Sequence, residues 1–265
     1  MTELLAYGFM QRALAAGILA GLLGGVVGVF LVQRRLAFLA AGVSHGAFAA
    51  IGLGLVLGVA PFNVALPAAV ALGLVIAWLR RRGLAEDTLV GVLFAVGMAL
   101  GVILLEISGA NASLSAFLFG SILAIGPADL VLLAVVTAVV GGFLLLAWGR
   151  LTLVTFDREL AQASGLPVAA LDYAFFAAAS LAIIAAVKLV GIVLVSSFFV
   201  VPAATARLVG GSFALVTGLA ALIGAATAIA GLALSWYLEV PVGALIVVVQ
   251  AAVFGGVVAI RRVAA

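Results

Sequence analysis

Long apolar segments, separated by short polar turns, run through the whole chain. Lengths of about 20 residues or more suit helices that cross the hydrocarbon core of a membrane. One segment, residues 171–206, is too long for a single helix and contains Lys188 and Gly191. We predict that it folds either as two passes or as one pass plus a broken, partly re-entrant piece. The pattern predicts membrane segments at residues 4–32, 36–59, 64–79, 84–107, 129–149, 171–206, 213–236 and 240–260.

The arginines orient these segments, because basic residues concentrate in the cytoplasmic loops of membrane proteins. Placing every arginine cluster in the cytoplasm gives nine crossings, with the N-terminus outside and the C-terminus inside. Eight crossings are the alternative if residues 171–206 hold one span and a re-entrant piece, but one arginine cluster then falls on the wrong side. The clusters are Arg34-Arg35, Arg80 to Arg82, Arg150 with Arg158, Arg207, and Arg261-Arg262.

The composition fits a membrane protein and excludes several other classes. Apolar residues make up 68% of the 265 residues and charged residues 8%, whereas about a quarter of a soluble domain is charged. The absence of cysteine excludes disulfides, iron–sulfur clusters and thiolate metal sites. A secreted disulfide scaffold, a nucleic-acid binder and a soluble enzyme are therefore excluded. We predict an all-α, polytopic membrane protein with eight to nine transmembrane helices, forming one domain over residues 1–265 in the lipid bilayer.

The sequence has no means of its own to drive transport. A phosphate-binding loop needs lysine followed by serine or threonine, but the only lysine, Lys188, is followed by Leu189. Carboxylates stand at the ends of spans, at Glu106, Asp129 and Glu239, and not in pairs at mid-span, where proton- or sodium-coupled carriers usually need them. We therefore predict a transport subunit that is not an enzyme and binds no cofactor, with its energy supplied by a partner.

The single histidine, His45, follows Ser44 inside a predicted span. An ionisable residue within the membrane is costly and is a functional candidate, and neutral imidazole binds zinc, manganese and iron. An imidazole that is hydrogen-bonded to a neighbouring helix is an equally good interpretation. One histidine without a nearby carboxylate does not make a tight site, although a transport site must also release its cargo.

Two short segments between the spans have helical patterns of their own. Residues 109–126, which include Phe117, read as a short re-entrant or outer-surface helix. In residues 155–167, Asp157 and Glu159 suit the positive N-terminal end of a cytoplasmic helix, and Gly165 suits its C-terminal cap. The apolar face of that helix, with Phe156 and Leu160, either lies on the membrane or docks a soluble partner.

Several motifs resemble one family of transport proteins, and they occur in the family's order over nearly the whole chain. Glu159-x-Ala161-x-x-x-Gly165 resembles the loop through which ATP-binding-cassette (ABC) importer permeases contact their ATPase subunits. The wider pattern is similar to the permeases of zinc, manganese and iron ABC importers. The blocks are Arg34 to Ala37 with Ser44-His45, Glu86-Asp87-Thr88-x-x-Gly91, Phe117 to Leu123, Thr155 to Pro167, Lys188 to Gly191, and Val201 to Arg207.

The resemblance implies a fold like that of the cobalamin-type ABC importer permeases and an assembly in a prokaryotic cytoplasmic (inner) membrane. That assembly is a homodimer with two cytoplasmic ATPase subunits, which use ATP and magnesium, and an extracytoplasmic metal-binding protein. The coupling loop corresponds to residues 151–170, and the coupling residues to Phe156, Asp157, Glu159, Ala161 and Gly165.

The resemblance also implies a membrane site at the histidine of the Ser-His pair, here Ser44 and His45, and at an aspartate four residues earlier. This chain has Ala41 at the aspartate position. Loss of a hard oxygen ligand favours zinc over manganese, or else the site is only a polar constriction. We predict zinc or manganese as the transported metal. The alternatives are a permease for a metal chelate or siderophore, an ATP-independent metal carrier or channel, and a structural membrane subunit.

Overall fold

The chain folds into a bundle of α-helices. The computed structural model describes residues 7–109, 114–120 and 125–264. Within these residues the helices are α1 (Gly8–Gln33), α2 (Leu39–Val56), α3 (Pro61–Arg81), α4 (Glu86–Ile107), α5 (Leu114–Phe119), α6 (Pro127–Leu146), α7 (Trp148–Phe156), α8 (Arg158–Ala163), α9 (Val168–Val190), α10 (Val195–Val209), α11 (Phe213–Leu238) and α12 (Val242–Ala264).

Eight helices of the described chain are long and apolar enough to cross a membrane: α1 to α4, α6, α9, α11 and α12. The long stretch 171–206 divides at Gly191 into the full-length α9 and the shorter α10 of 15 residues. At 1.5 Å per residue, α10 is about 22 Å long, which is less than the roughly 30 Å hydrocarbon core. Eight helices of the described residues are therefore long enough to span a membrane, and α10 is a shorter apolar helix that follows α9.

The two ends of the bundle differ in charge. At one end, which we call the arginine-rich end, Arg34 follows α1 and pairs with Asp172 near the start of α9. At the opposite end, Tyr7 precedes α1 and packs against Trp236 of α11. Arg207, near the end of α10, lines a cleft with Gln33 and Phe156, so α10 leads back to the arginine-rich end.

Glycines let several helices approach to backbone contact. A Cβ atom on Gly21 of α1 would lie 2.5 Å from the carbonyl carbon of Gly224 in α11, closer than real atoms come. On α4, a Cβ at Gly97 would collide with the backbone of His45 and Gly46. Gly21 and Gly97 therefore allow close packing of helices within this chain, where dispersion replaces the hydrophobic effect of water.

The junction between α9 and α10 is a break in helical hydrogen bonding. Gly191 has a φ of +94°, a conformation that glycine adopts without steric cost. The freed amides of Ile192 and Val193 donate to the carbonyls of Phe117 and Leu118, at 3.0 and 3.1 Å. The predicted short helix is therefore present as α5, and its C-terminal end supports the break. Asn111, Ser113 and Ser121, which belong to the same predicted segment 109–126, lie outside the described residues.

Candidate functional site

His45 lies in α2, and its imidazole is held by the helix itself. The Nδ1 atom lies 3.0 Å from the carbonyl oxygen of Ala41, one turn earlier. Among the described residues, the hydrogen bonds of His45 all involve Nδ1, with Ala41 and with Ser44 Oγ. An Nδ1–H that donates to Ala41 leaves Nε2 as the nitrogen with a free lone pair. This is the tautomer that a metal-binding imidazole needs.

Ser44 connects the histidine to the break between α9 and α10. Its Oγ lies 3.1 Å from the carbonyl oxygen of Ile192, which is one of the residues of the break. Ser44 is fully buried and His45 is 4% exposed. The Ser-His pair is therefore packed where α2 meets the irregular backbone of the break. A movement of the break would displace the hydrogen-bond acceptor of Ser44, which is next to His45 in the chain.

The surroundings of His45 supply few metal ligands. No group of three or more histidine, aspartate or glutamate side chains that could hold an ion occurs within the described parts of the chain. Ala41, at the position where a carboxylate was expected from the resemblance, presents only a methyl group and its backbone carbonyl. A single imidazole in this setting suits brief contact with a passing cation better than permanent binding.

The short helix α8 is capped at both ends, as the sequence predicted. The Asp157 carboxylate accepts a hydrogen bond of 2.8 Å from the Leu160 amide. Beyond the other end, Gly165 has a φ of +75°, and the amides of Gly165 and Leu166 donate to the carbonyls of Gln162 and Ala161. This pair of bonds is the Schellman motif. With only six residues, α8 depends on these two caps for its geometry.

The coupling residues predicted from the sequence have three different places around α8. Phe156, Glu159 and Leu160 are exposed, with Phe156 at 56% and Leu160 at 51%. Ala161 is fully buried, so it seats the helix on the bundle and presents no surface of its own. Asp157 and Gly165 act through the caps. The exposed part of the motif is thus an apolar and acidic surface at the arginine-rich end.

Phe156 belongs to an aromatic cluster that extends into the bundle. Its ring packs edge-on against Phe213 of α11, with 5.3 Å between centroids. Phe213 in turn contacts Phe30 of α1 and Trp148 of α7, at 5.1 and 5.2 Å. The cluster joins Phe156 at the end of α7 to two other helices, α1 and α11.

A buried ion network beside α8 was missed by the sequence analysis. Asp172 is paired with Arg34 at 3.3 Å and with Arg158 of α8 at 2.7 Å. Arg34 also donates to Thr155 Oγ1 at 2.9 Å and stacks on the Phe175 ring. The only signal in the sequence was Asp172, an acid at the start of the predicted segment 171–206, and nothing in the sequence identified its partners.

Burial dominates the electrostatics of this network. It lowers the pKa of the Arg34 guanidinium to about 10, and the attraction of the Asp172 carboxylate opposes that fall. Arg34 stays charged at neutral pH and needs its partner. The network thereby ties the end of α1, the start of α9 and the helix α8 together.

The structure keeps His45 and the coupling residues at separate places and joins them through α9. Asp172, near the start of α9, is paired with Arg158 of α8. The other end of α9 leads to Ile192, whose carbonyl accepts from Ser44. A displacement of α8 therefore has a physical connection to the residue beside the histidine.

The fold is that of a multi-pass membrane protein, with eight helices of the described residues long and apolar enough to span a bilayer. Residues 6–261 match the model of the ABC 3 transport family, and the chain belongs to this family. It is 35% identical over 258 residues to the manganese transport system membrane protein MntC of Halalkalibacterium halodurans, covering 95% of this chain and 87% of that protein. It is 29% identical over 244 residues to the high-affinity zinc uptake system membrane protein ZnuB of Haemophilus influenzae, covering 91% of this chain and 94% of that protein.

A solved structure shows the same fold. The chain is similar to a chain of PsaBC from Streptococcus pneumoniae in complex with Fab, with a TM-score of 0.88 and 28% identity. The match covers 97% of this chain and 93% of that one. The helical membrane architecture predicted from the sequence is confirmed.

Proposed function

We propose that this chain is the membrane-spanning permease subunit of an ATP-driven importer of divalent zinc or manganese. The observation that carries the proposal is the end-to-end relationship with permeases named for manganese and zinc transport. The lone imidazole of His45 and the methyl group of Ala41 favour zinc, because zinc accepts nitrogen ligands and manganese prefers oxygen ligands.

The working unit in this proposal is a homodimer, with two cytoplasmic ATPase subunits and an extracytoplasmic binding protein that delivers the metal. Residues 1–265 form its single membrane domain, which contains the coupling loop at 151–170. The arginine-rich end faces the cytoplasm, in line with the positive-inside rule, so the N-terminus is outside and the C-terminus inside a prokaryotic cytoplasmic membrane. The ATPase subunits hydrolyse ATP with magnesium, and this chain has no ATPase motif of its own.

In this mechanism the conformational change that follows ATP binding in the partner subunits is transmitted to the metal route through α8. The ATPase subunits contact the exposed surface of Phe156, Glu159 and Leu160, whose position is set by the caps at Asp157 and Gly165. Because Arg158 is paired with Asp172, movement of α8 is passed to α9 and on to the break beside Ser44. His45 then receives and releases the cation as the bundle alternates between its two openings.

Metal content of a deletion strain under metal limitation tests this proposal. Zinc, manganese and iron are measured with wild type, His45→Ala or Thr137→Ala added back. Thr137 is a matched control because its hydroxyl donates to the Leu133 carbonyl of its own helix, at 2.7 Å, and among the described residues it has no hydrogen bond to another helix. We expect wild type and Thr137→Ala to restore one metal, and His45→Ala, present at a normal level, to fail.

Unchanged levels of all three metals in a deletion strain without a redundant importer would contradict metal import. The same assay with metal chelates then distinguishes a chelate permease. Metal uptake that persists when the ATPase subunits are removed would indicate a carrier that works without ATP.

A further inference from the structure

A cleft opens beside α2 and α4, next to the candidate metal site. Its volume is about 440 Å³. It is lined by Phe38, which precedes α2, by Ala41 of α2, by Asp87, Val90, Gly91 and Phe94 of α4, and by Ser196 of α10. A cleft of this volume is large enough for a hydrated divalent cation.

Phe94 separates the imidazole of His45 from this cleft. The two rings are stacked with 4.0 Å between centroids and 33° between planes. Phe94 lines the cleft and is 43% exposed, whereas His45 does not line it and is 4% exposed. The phenyl ring therefore covers one face of the imidazole and forms a wall of the cleft.

The neighbourhood of Phe94 leaves space for its ring to move. Gly91, three residues earlier on the same face of α4, has no atom within 4 Å of the place where a Cβ would lie. Open space therefore lies on the Gly91 side of Phe94.

The cleft leads from the histidine toward the arginine-rich end. Asp87, Gly91 and Phe94 are spaced by four and three residues, which places them on one helix face. Seven residues separate Asp87 from Phe94, or about 10 Å along the helix. Because α4 begins shortly after Arg80 to Arg82, Asp87 lies at the mouth of the cleft at that end.

These positions suit a cation that passes from one group to the next. A zinc ion lies about 2 Å from each of its ligands, so His45 and Asp87 are too far apart to hold one ion together. An aromatic face attracts a cation. The Phe94 ring therefore obstructs a metal ion by its volume and does not repel it electrostatically. Asp87 supplies a carboxylate on the far side of that ring.

We propose that Phe94 is a gate between His45 and this cleft, and that the cleft is the inner section of the metal route. The inference rests on the proposed function and adds a residue that controls release of the metal. In the structure described here the gate is closed over His45.

Thiol labelling tests the gate without any need for transport. Because the chain contains no cysteine, His45→Cys places a single thiol at the histidine position. Inside-out vesicles carrying the full complex are treated with a cationic, membrane-impermeant methanethiosulfonate, and modification of this chain is followed by mass spectrometry. We expect Phe94→Ala to accelerate labelling about tenfold, because thiol modification depends on access.

Two matched variants separate the gate from general loosening of α4. Phe94→Tyr keeps the ring and should label as slowly as the His45→Cys parent. Val92→Ala removes methyl groups from an exposed residue of the same helix that does not line the cleft, and should also label slowly. Equal rates for Phe94→Ala and Val92→Ala would overturn the proposal. If Phe94→Ala does not elute as a folded complex, Phe94→Leu takes its place in the same comparison.

A second measurement connects the gate to transport, in proteins that retain His45. Metal imported per ATP hydrolysed should fall severalfold in Phe94→Ala and stay at the wild-type ratio in Val92→Ala. An unchanged ratio in Phe94→Ala overturns the gate even if labelling is faster. If the wild-type complex imports no metal, the proposed function fails, and the labelling comparison still decides whether Phe94 closes the cleft.

Discussion

At the scale of single residues, the charged side chains inside this protein are few, and the structure gives them partners. Arg34 and Asp172 each have side chains only 6% exposed. Charges removed from water in this way depend on mutual attraction and hydrogen bonds, and removal of one partner leaves the other uncompensated. Loss of the Asp172 carboxylate affects more charges than loss of Arg34, because Asp172 is paired with both Arg34 and Arg158.

We therefore expect Asp172→Asn to destabilise the protein. The loss is about 3 kcal/mol if Arg34 stays buried without its carboxylate, which lowers the Tm of a chain of this size by roughly 6–12 °C. Thermal unfolding of the detergent-purified protein, followed by tryptophan fluorescence, measures the change. Glu106→Gln, which neutralises an exposed acid, is the control and should unfold at the wild-type temperature. A Tm within about 1 °C of wild type in Asp172→Asn would show that the pair contributes little.

At the scale of elements, short helices in this fold depend on their ends and long helices on their faces. α8 has six residues, and isolated helices of that length are unstable in water. Its N-terminal cap at Asp157 and its C-terminal Schellman motif at Gly165 take the place of length. The long spans need no such caps, because hydrocarbon leaves their backbone groups no alternative to helical bonds.

Substitution at Gly165 separates backbone geometry from side-chain bulk. No atom lies within 4 Å of a Cβ at this position, so only its positive φ opposes a larger residue. Asparagine tolerates this conformation and valine does not. We expect Gly165→Asn to keep the stimulation of the partner ATPase by the permease and Gly165→Val to lose most of it, at normal levels of folded permease.

ATPase activity of the purified complexes, compared with that of the ATPase subunits alone, gives the readout for both variants. Equal stimulation in Gly165→Asn and Gly165→Val would mean that the cap does not position the coupling surface.

At the scale of the whole molecule, the order of passes determines which ends of the helices meet. Phe213 at the start of α11 packs on Phe30 near the end of α1, and Trp236 near its end packs on Tyr7 before α1. α1 and α11 are therefore antiparallel, and α12 leads back toward the arginine-rich end. With α10 counted as a passage, the beginning and the end of the chain lie at opposite ends of the bundle.

Reporter fusions test this arrangement in the membrane. Alkaline phosphatase, which is active only outside the cytoplasm, should be active when fused after Glu239 and inactive when fused after Arg82 or Arg262. Green fluorescent protein should show the reverse pattern at the same three positions, since it folds in the cytoplasm. Phosphatase activity after Arg262 would contradict nine passages and would leave α10 as a re-entrant piece.

The spans, the end caps of α8 and the class of the protein were predictable from the sequence, because each depends on local pattern. Lipid requires about 20 apolar residues per spanning helix, and capping is settled by residues within one or two turns. The division of residues 171–206 was also visible in Gly191, although the 15-residue length of α10 was not.

Contacts between distant segments were decided only by the tertiary structure. Asp172 acquires Arg34 and Arg158, Ser44 acquires the carbonyl of Ile192, and Phe94 covers His45. In each case the partners are separated by at least 14 residues of chain, and their meeting depends on how whole helices pack. The sequence by itself determined which segments cross the membrane and that His45 is the only histidine. The packing of α2, α4 and the α9–α10 break decided what that histidine touches, because hydrocarbon specifies a helix but not its neighbours.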